Sequence, residues 1–235
     1  MSCPFAEPTV RGTLLRRYKR FFVDVDIDGV VHTAHTANTG AMTGLLLEGA
    51  PVLLTRHDTK TRKFPLELEA IDVGVGQQRA SWVVVNTIRA NRTAGAFLRA
   101  GVFPELGSDV TGTEVKVGDS RVDFTVGTQL VEVKSVTLRV GTAGRFPDAR
   151  SERALKHAEM LLAHVDGGAA LIFLCQRTDI ESVGPADDVD PVYGAALRRA
   201  AQAGVRVLAA TVAVAINDDG GGILSFGRRI PVDLS

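Results

Sequence analysis

The sequence predicts a two-domain α+β protein, a small β-barrel up to about residue 85 followed by a mixed sheet flanked by helices. Three observations carry this. Residues 12–85 read as short apolar and β-branched runs cut by Asp-Gly, Asn-Thr-Gly and Gly-Ala-Pro, with no helical period. Beyond residue 85, stretches with helical spacing alternate with strand-like runs. Two of those runs, 169–175 and 205–216, are almost continuously apolar, as strands covered on both faces are.

The first domain takes strands at 14–25, 30–36, 51–55, 66–73 and 82–85, a spacing that suits a closed or half-closed barrel. A helix follows from Thr87 or Asn91 to Arg99 and stops at Gly101. Strands at 114–117, 121–126 and 130–139 come next, then a loop at 141–146. Asp148 or Ser151 caps a helix that runs to about His164, with Leu155, Met160 and Leu162 turned inward. The apolar strand 169–175 succeeds it. Asp190-Pro191 then opens a helix, with the acid as cap and proline at the first helical position, and that helix ends near Gly204 before strand 205–216. The second half is thus α, β, β, β, α, β, α, β, and the chain divides into 1–85 and 86–235.

Composition narrows the function classes. With 45% hydrophobic residues the 235-residue chain has ample material for real cores. No apolar run approaches the roughly 20 residues that span a bilayer, and no secretory segment is evident, so a cytoplasmic location and no membrane partner are expected. The two cysteines, Cys3 and Cys175, have neither the spacing nor the context of a disulfide framework or zinc site. Because 27 basic residues balance 27 acidic ones, the chain is no general polycation; what counts is where the cations sit. Arg11, Arg16, Arg17, Lys19 and Arg20 form an acid-free cluster interleaved with Tyr18, Phe21 and Phe22. Such a mix suits phosphates and bases, and equally suits a barrel strand with one solvated basic face.

The chemistry-bearing pattern lies at Asp123 and Glu132-Val133-Lys134. Alternation puts Glu132 and Lys134 on one face of their strand, with Val131 and Val133 on the other. A turn at Gly127-Thr128 pairs Val126 with Gln129 and, three steps on, sets Asp123 opposite Glu132. Two facing carboxylates call for a positive charge between them. A divalent cation such as Mg²⁺, held by these acids, water and phosphate oxygen, is one answer. Arg121 and Lys134 lie diagonally in the same register, so a solvated charge checkerboard is the other.

Many separate segments resemble one family: Arg17-Tyr18-Lys19-Arg20-Phe21, His35-Thr36-Ala37-Asn38-Thr39-Gly40-Ala41-Met42, Val85-Asn86-Thr87, residues 120–124 and 131–138, Gly144-Arg145-Phe146-Pro147-Asp148-Ala149, and Lys156-His157. In this order they look like the sugar fermentation stimulation protein A (SfsA) family over nearly the whole chain. Ala37 stands where the family usually has proline, and Arg150-Ser151 where it has Val-Thr. The resemblance implies an N-terminal OB-like barrel and a C-terminal PD-(D/E)xK nuclease-like domain, whose helix, three strands, helix, strand order agrees with the elements above. By position it makes Asp123 the metal-binding aspartate and Glu132 with Lys134 the (D/E)xK pair. It also implies DNA binding without sequence preference and a link to regulation of sugar, chiefly maltose, metabolism.

On that footing Asp123, Glu132 and the carbonyl of Val133 are expected to hold Mg²⁺ or Mn²⁺, with Lys134 orienting the attacking water or countering developing charge. Glu114, on the preceding strand, is a candidate third carboxylate. Nucleic-acid contacts are expected from Arg16, Arg17, Tyr18, Lys19, Arg20, Asn38, Lys156 and His157. Two function classes stand. One is a metal-dependent nuclease acting on DNA, with RNA as the second candidate; the other is a non-catalytic DNA-binding regulator of sugar metabolism that keeps the nuclease scaffold. No helix-turn-helix reader is evident for the second. Sugar binding by the barrel has only fold analogy behind it.

Overall fold

The computed structural model describes residues 2–5, 8–58, 63–77, 80–217 and 221–235. A short strand β1 (Ser2–Pro4) precedes the barrel strands β2 (Thr9–Tyr18), β3 (Phe22–Ile27), β4 (Val30–His35), β5 (Pro51–Arg56) and β6 (Leu66–Asp72), with β7 (Trp82–Val84) added beside β6. The order β4-β3-β2-β5-β6 closes on itself where His35 pairs with Glu67, giving a five-stranded barrel of the predicted OB type. Inward residues Leu14, Val23, Val25, Val52, Leu54 and Leu68 fill it, each essentially removed from water and contributing about 1.5–3 kcal/mol by that burial.

The run predicted as one strand at 14–25 is a hairpin. Lys19 and Arg20 both take positive φ, 50° and 64°, and turn the chain between β2 and β3. No Gly, Pro, Asn or Asp marks this turn, which is why the sequence conceals it.

The second domain follows the predicted order: α1 (Ile88–Arg99), β8 (Val110–Val117), β9 (Ser120–Val126), β10 (Gln129–Val136), β11 (Leu138–Val140), β12 (Ala143–Phe146), α2 (Glu152–Ala163), β13 (Ala169–Cys175), β14 (Ser182–Pro185), α3 (Pro191–Gln202), β15 (Arg206–Ile216) and β16 (Gly222–Arg229). Seven strands lie in the order β1-β16-β15-β13-β10-β9-β8, with β10, β13 and β15 parallel at the centre. All of β13 is buried, as its continuous apolar sequence requires: Leu171, Phe173 and Cys175 meet α2 and α3, while Ala170, Ile172 and Leu174 meet α1. Ser151 caps α2 by accepting the Ala154 N–H, and Asp190 caps α3 through Tyr193 while its other oxygen accepts the Ser151 N–H.

Other details differ from the sequence reading, which has no strand where β14 lies. The strand predicted at 130–139 breaks at Thr137, so β11 leaves the main sheet and joins β12 and β14 in a small one. That makes a strand of the loop predicted at 141–146. β8 begins earlier than residue 114, and Asn86 rather than Thr87 bonds the first turn of α1, its Oδ1 accepting the Ile88 N–H. β16, rich in glycine and arginine, carries little strand signal and is held by pairing with β15. Among the described residues no helix is long and apolar enough to cross a membrane.

Candidate functional site

The turn at Gly127-Thr128 sets the register as predicted for three steps: Val126 with Gln129, Thr125 with Leu130, Phe124 with Val131. There the ladder ends, one step short of pairing Asp123 with Glu132. Asp123 replaces it with its side chain, Oδ2 accepting the Val133 N–H at 2.7 Å and Oδ1 accepting Asn91 Nδ2 of α1 at 2.7 Å. A carboxylate thus wedges β9 from β10 where the apolar faces of both strands still pack against α1.

Glu132 and Lys134 turn toward α2, as strand alternation demands. Lys134 Nζ bonds Glu132 Oε1 at 2.7 Å and lies 3.2 Å from His157 Nδ1, while His157 Nδ1 bonds the same Glu132 oxygen. Asp123, Glu132 and Lys134 are 8%, 2% and 7% exposed, which overturns the solvated checkerboard. Arg121, its proposed member, lies exposed and reaches the Glu114 carbonyl instead.

Burial, then the nearby charge of Glu132, hold the Asp123 carboxyl above the usual carboxylate range, against the pull of Val133, Asn91 and Lys134. Burial also opposes ionisation of Glu132, but the hydrogen bonds and charges of His157 and Lys134 win and hold it below that range. One buried acid is therefore well served and its neighbour is not.

These residues suit a divalent cation. Glu132 Oε2 is buried without a hydrogen-bond partner among the described residues, a lone pair removed from water and left unfilled. The N–H and C=O of a strand residue point to the same edge, so the Val133 carbonyl lies on the edge where Asp123 bonds its N–H. Two carboxylate groups and one carbonyl leave room for the waters and phosphate oxygens that a hard cation prefers. Among the described residues no three of His, Cys, Asp and Glu gather as a metal cluster, so the set stops at two acids. Glu114, at φ 51°, stands one bridge away: Asn91 Nδ2 donates to its Oε1 at 3.2 Å as well as to Asp123.

Three depressions adjoin this cluster. One of about 240 Å³ is walled by Asn91, Arg92, Arg99, Glu114 and Asp123. Another, about 410 Å³, opens between the barrel loop at 38–40 and Val133, Lys134, Arg145, Asp148 and Arg150. A third, about 510 Å³, carries Arg121, Arg153, Lys156 and His157.

Several predicted nucleic-acid contacts have other tasks. His157 is buried against Glu132 and Lys134 and so belongs to the carboxylate site. Arg17 folds inward, its guanidinium donating to the carbonyls of Arg20, Asn38 and Gly40; the loss of water holds its pKa below the usual arginine value. Asn38 is buried and its Oδ1 accepts the Gly40 N–H. Gly40 itself lies against Asp148, where any Cβ would collide, so this loop is fitted to the second domain. Arg16 pairs with Asp24 at 2.8 Å, and Tyr18 also bonds Asp24. Lys19, Arg20 and Lys156 remain exposed. The sequence reading missed Asn91 as a site residue. Its one signal is a polar side chain a helical turn ahead of Gly95, the position that presses against Phe124.

Comparison with known proteins adds the following. A family model described as "Sugar fermentation stimulation protein RE domain" matches residues 88–218, and one described as "SfsA N-terminal OB domain" matches residues 15–85. The sugar fermentation stimulation protein homolog of Syntrophotalea carbinolica is 41% identical over 235 residues, covering 97% of each chain. That of Citrifermentans bemidjiense is 42% identical over 212 residues, covering 86% of this chain and 90% of the relative. Among solved structures, Pyrococcus furiosus SfsA in complex with Ca²⁺ matches with a TM-score of 0.83 over 99% of both chains at 23% identity, a likeness of fold.

Proposed function

Because the chain belongs to the sugar fermentation stimulation protein (SfsA) family, we propose that it binds nucleic acid without sequence preference and hydrolyses phosphodiester bonds at Asp123, Glu132 and Lys134 with a divalent cation. The observation that carries this reading is the buried Glu132 Oε2, without a partner among the described residues, beside a second carboxylate that burial and then the charge of Glu132 push toward protonation. A fold gains nothing from such a pair unless a ligand completes it. That the solved Pyrococcus furiosus SfsA is a complex with Ca²⁺ supports an oxygen-liganded cation for the fold, and Mg²⁺ or Mn²⁺ is the working ion we assign to this chain.

Asp123, Glu132 and the Val133 carbonyl would hold the ion. When bound, it lowers the pKa of a coordinated water and neutralises the scissile phosphate. Asn91 fixes the Asp123 carboxylate, and His157 fixes Glu132 through Oε1, leaving Oε2 as its open donor. Lys134, buried beside both, supplies a fixed positive charge for the phosphate or for the attacking oxygen. The exposed cations Lys156, Arg153 and Arg121 flank the cluster and suit phosphates on either side of the cut.

The second reading, a DNA-binding regulator that keeps the scaffold, draws on the closed state of Lys134, whose ammonium is engaged by Glu132 and His157. One experiment separates the two. Purified protein is incubated with end-labelled single- and double-stranded DNA and RNA, with Mg²⁺, with Mn²⁺ and with chelator. Cleavage that needs the metal and disappears in Asp123→Ala and Lys134→Ala, while binding persists, establishes the nuclease. Tight binding with no cleavage of any substrate leaves the regulator.

A further inference from the structure

The barrel carries a second arrangement of rings and cations, on its outer face and apart from the carboxylates. Strand alternation turns Val23 and Val25 into the barrel and Phe22 out, and pairs Phe22 with Tyr18 on one side and His35 on the other. Ring centroids of Tyr18 and Phe22 are 5.8 Å apart, and those of Phe22 and Phe64 are 4.8 Å apart. A cation closes each end of the row. The Arg16 guanidinium lies 5.4 Å from the centre of Tyr18, and the Lys63 ammonium 5.7 Å from that of Phe64. All three rings are only partly covered.

The hairpin tip adds to this face. Lys19 and Arg20 are held exposed by their left-handed backbone, and Phe21, 43% exposed, lies within 4° of parallel to the His35 ring. Left-handed backbone at two non-glycine residues is strained, and strain of this kind collects at binding surfaces. Two acids of the barrel's outer face are already bonded: Asp24 by Arg16, Tyr18 and Thr33, and Glu67 by His57.

We propose that this stripe binds a single strand of nucleic acid, with unpaired bases stacked on Tyr18, Phe22 and Phe64 and phosphates against Lys63, Lys19 and Arg20. Paired bases in a duplex already cover one another's faces, so rings at this spacing reward only an unpaired strand. The exposed cations Lys63, Lys19 and Arg20 beside the row favour a polyanion over a neutral sugar. The inference rests on the nucleic-acid reading above and gives it a substrate class. It also supplies a route, because Arg17 ties the Arg20 carbonyl of the tip to the loop at 38–40 that walls the Lys134 cleft.

The test is fluorescence anisotropy of the full chain with labelled oligothymidylate and with the matching duplex, in chelator so that nothing is cut. Leucine keeps bulk but lacks a stacking face, so Phe22→Leu and Phe64→Leu should each weaken single-strand binding about tenfold and leave duplex binding within about twofold. Thermal melting confirms that each variant is folded. Unchanged single-strand binding in both folded variants, or an equal loss for strand and duplex, overturns the stripe while leaving cleavage at Asp123 standing. Wild-type protein that binds neither form overturns the nucleic-acid reading with it.

Discussion

The barrel and the C-terminal sheet both bury carboxylates, and they treat them in opposite ways. In the barrel, Glu69 is fully buried, clasped by Arg89 at 2.7 and 3.0 Å and by the Thr55 hydroxyl at 2.7 Å. Glu67 is likewise held by His57 at 3.0 Å. In the sheet, burial and then the charge of Glu132 hold the Asp123 carboxyl above the usual range, and one oxygen of Glu132 is left without a partner among the described residues. Glu69 joins the two domains, since Arg89 comes from α1 and reaches across to β6. The sheet acids also reach their helices, Asp123 through Asn91 and Glu132 through His157, but Asp123 stays above the usual carboxylate range and Glu132 Oε2 stays unpartnered among the described residues. Saturation therefore separates a structural charge from a functional one better than burial does, because both sets are buried.

The largest effect expected from this contrast is on stability. Glu69→Ala removes the fully buried carboxylate that Arg89 and Thr55 bond and should lower stability by about 3–5 kcal/mol, a fall in melting temperature of about 10 °C. Asp123→Asn should do the reverse in chelator, melting no lower than wild type because a repelled charge is removed, while cleavage falls about a hundredfold or more. Equal destabilisation by the two variants would break the comparison. His157→Gln sharpens it: losing the hold on Glu132 should weaken Mn²⁺ affinity about 10- to 100-fold with little change in melting.

A smaller effect concerns pH. Burial alone would raise the Asp179 pKa, but Arg177 and Arg139 bring it from 3.8 down to about 2. The folded carboxylate thus releases its proton more readily than the unfolded one, so its contribution is present above pH 3.8 and is lost as pH falls toward about 2. The melting difference between wild type and Asp179→Asn should be full at neutral pH and vanish near that lower limit. The smallest effect belongs to Lys156→Ala, which should reduce the slope of log affinity against log salt by about one without altering the fold.

What the sequence made legible was local or periodic. Ser151 and Asp190 announce their helices because caps act within three residues, and Ala169–Cys175 announces a central strand because every position is apolar. The register at Asp123 was legible from the turn at Gly127, up to the point where the ladder stops. What ends it is a side chain, and no alternation rule predicts that Asp123 will take the place of a backbone acceptor. Asn91 and His157 lie 32 and 25 residues from the acids they hold, on helices packed against opposite faces of the sheet, so only the fold reveals them. The hairpin at Lys19 and Arg20 was hidden because its residues carry no turn chemistry.

The contrast comes down to whether the Asp123 and Glu132 pair takes up a cation. Calorimetric titration of Mn²⁺ into metal-stripped wild type and Asp123→Asn, with melting curves showing both folded, measures this directly. The account predicts a binding isotherm for wild type that is lost in the variant and kept in Glu114→Ala. Silent titrations of the folded wild type, or identical isotherms with and without the Asp123 carboxylate, would contradict it.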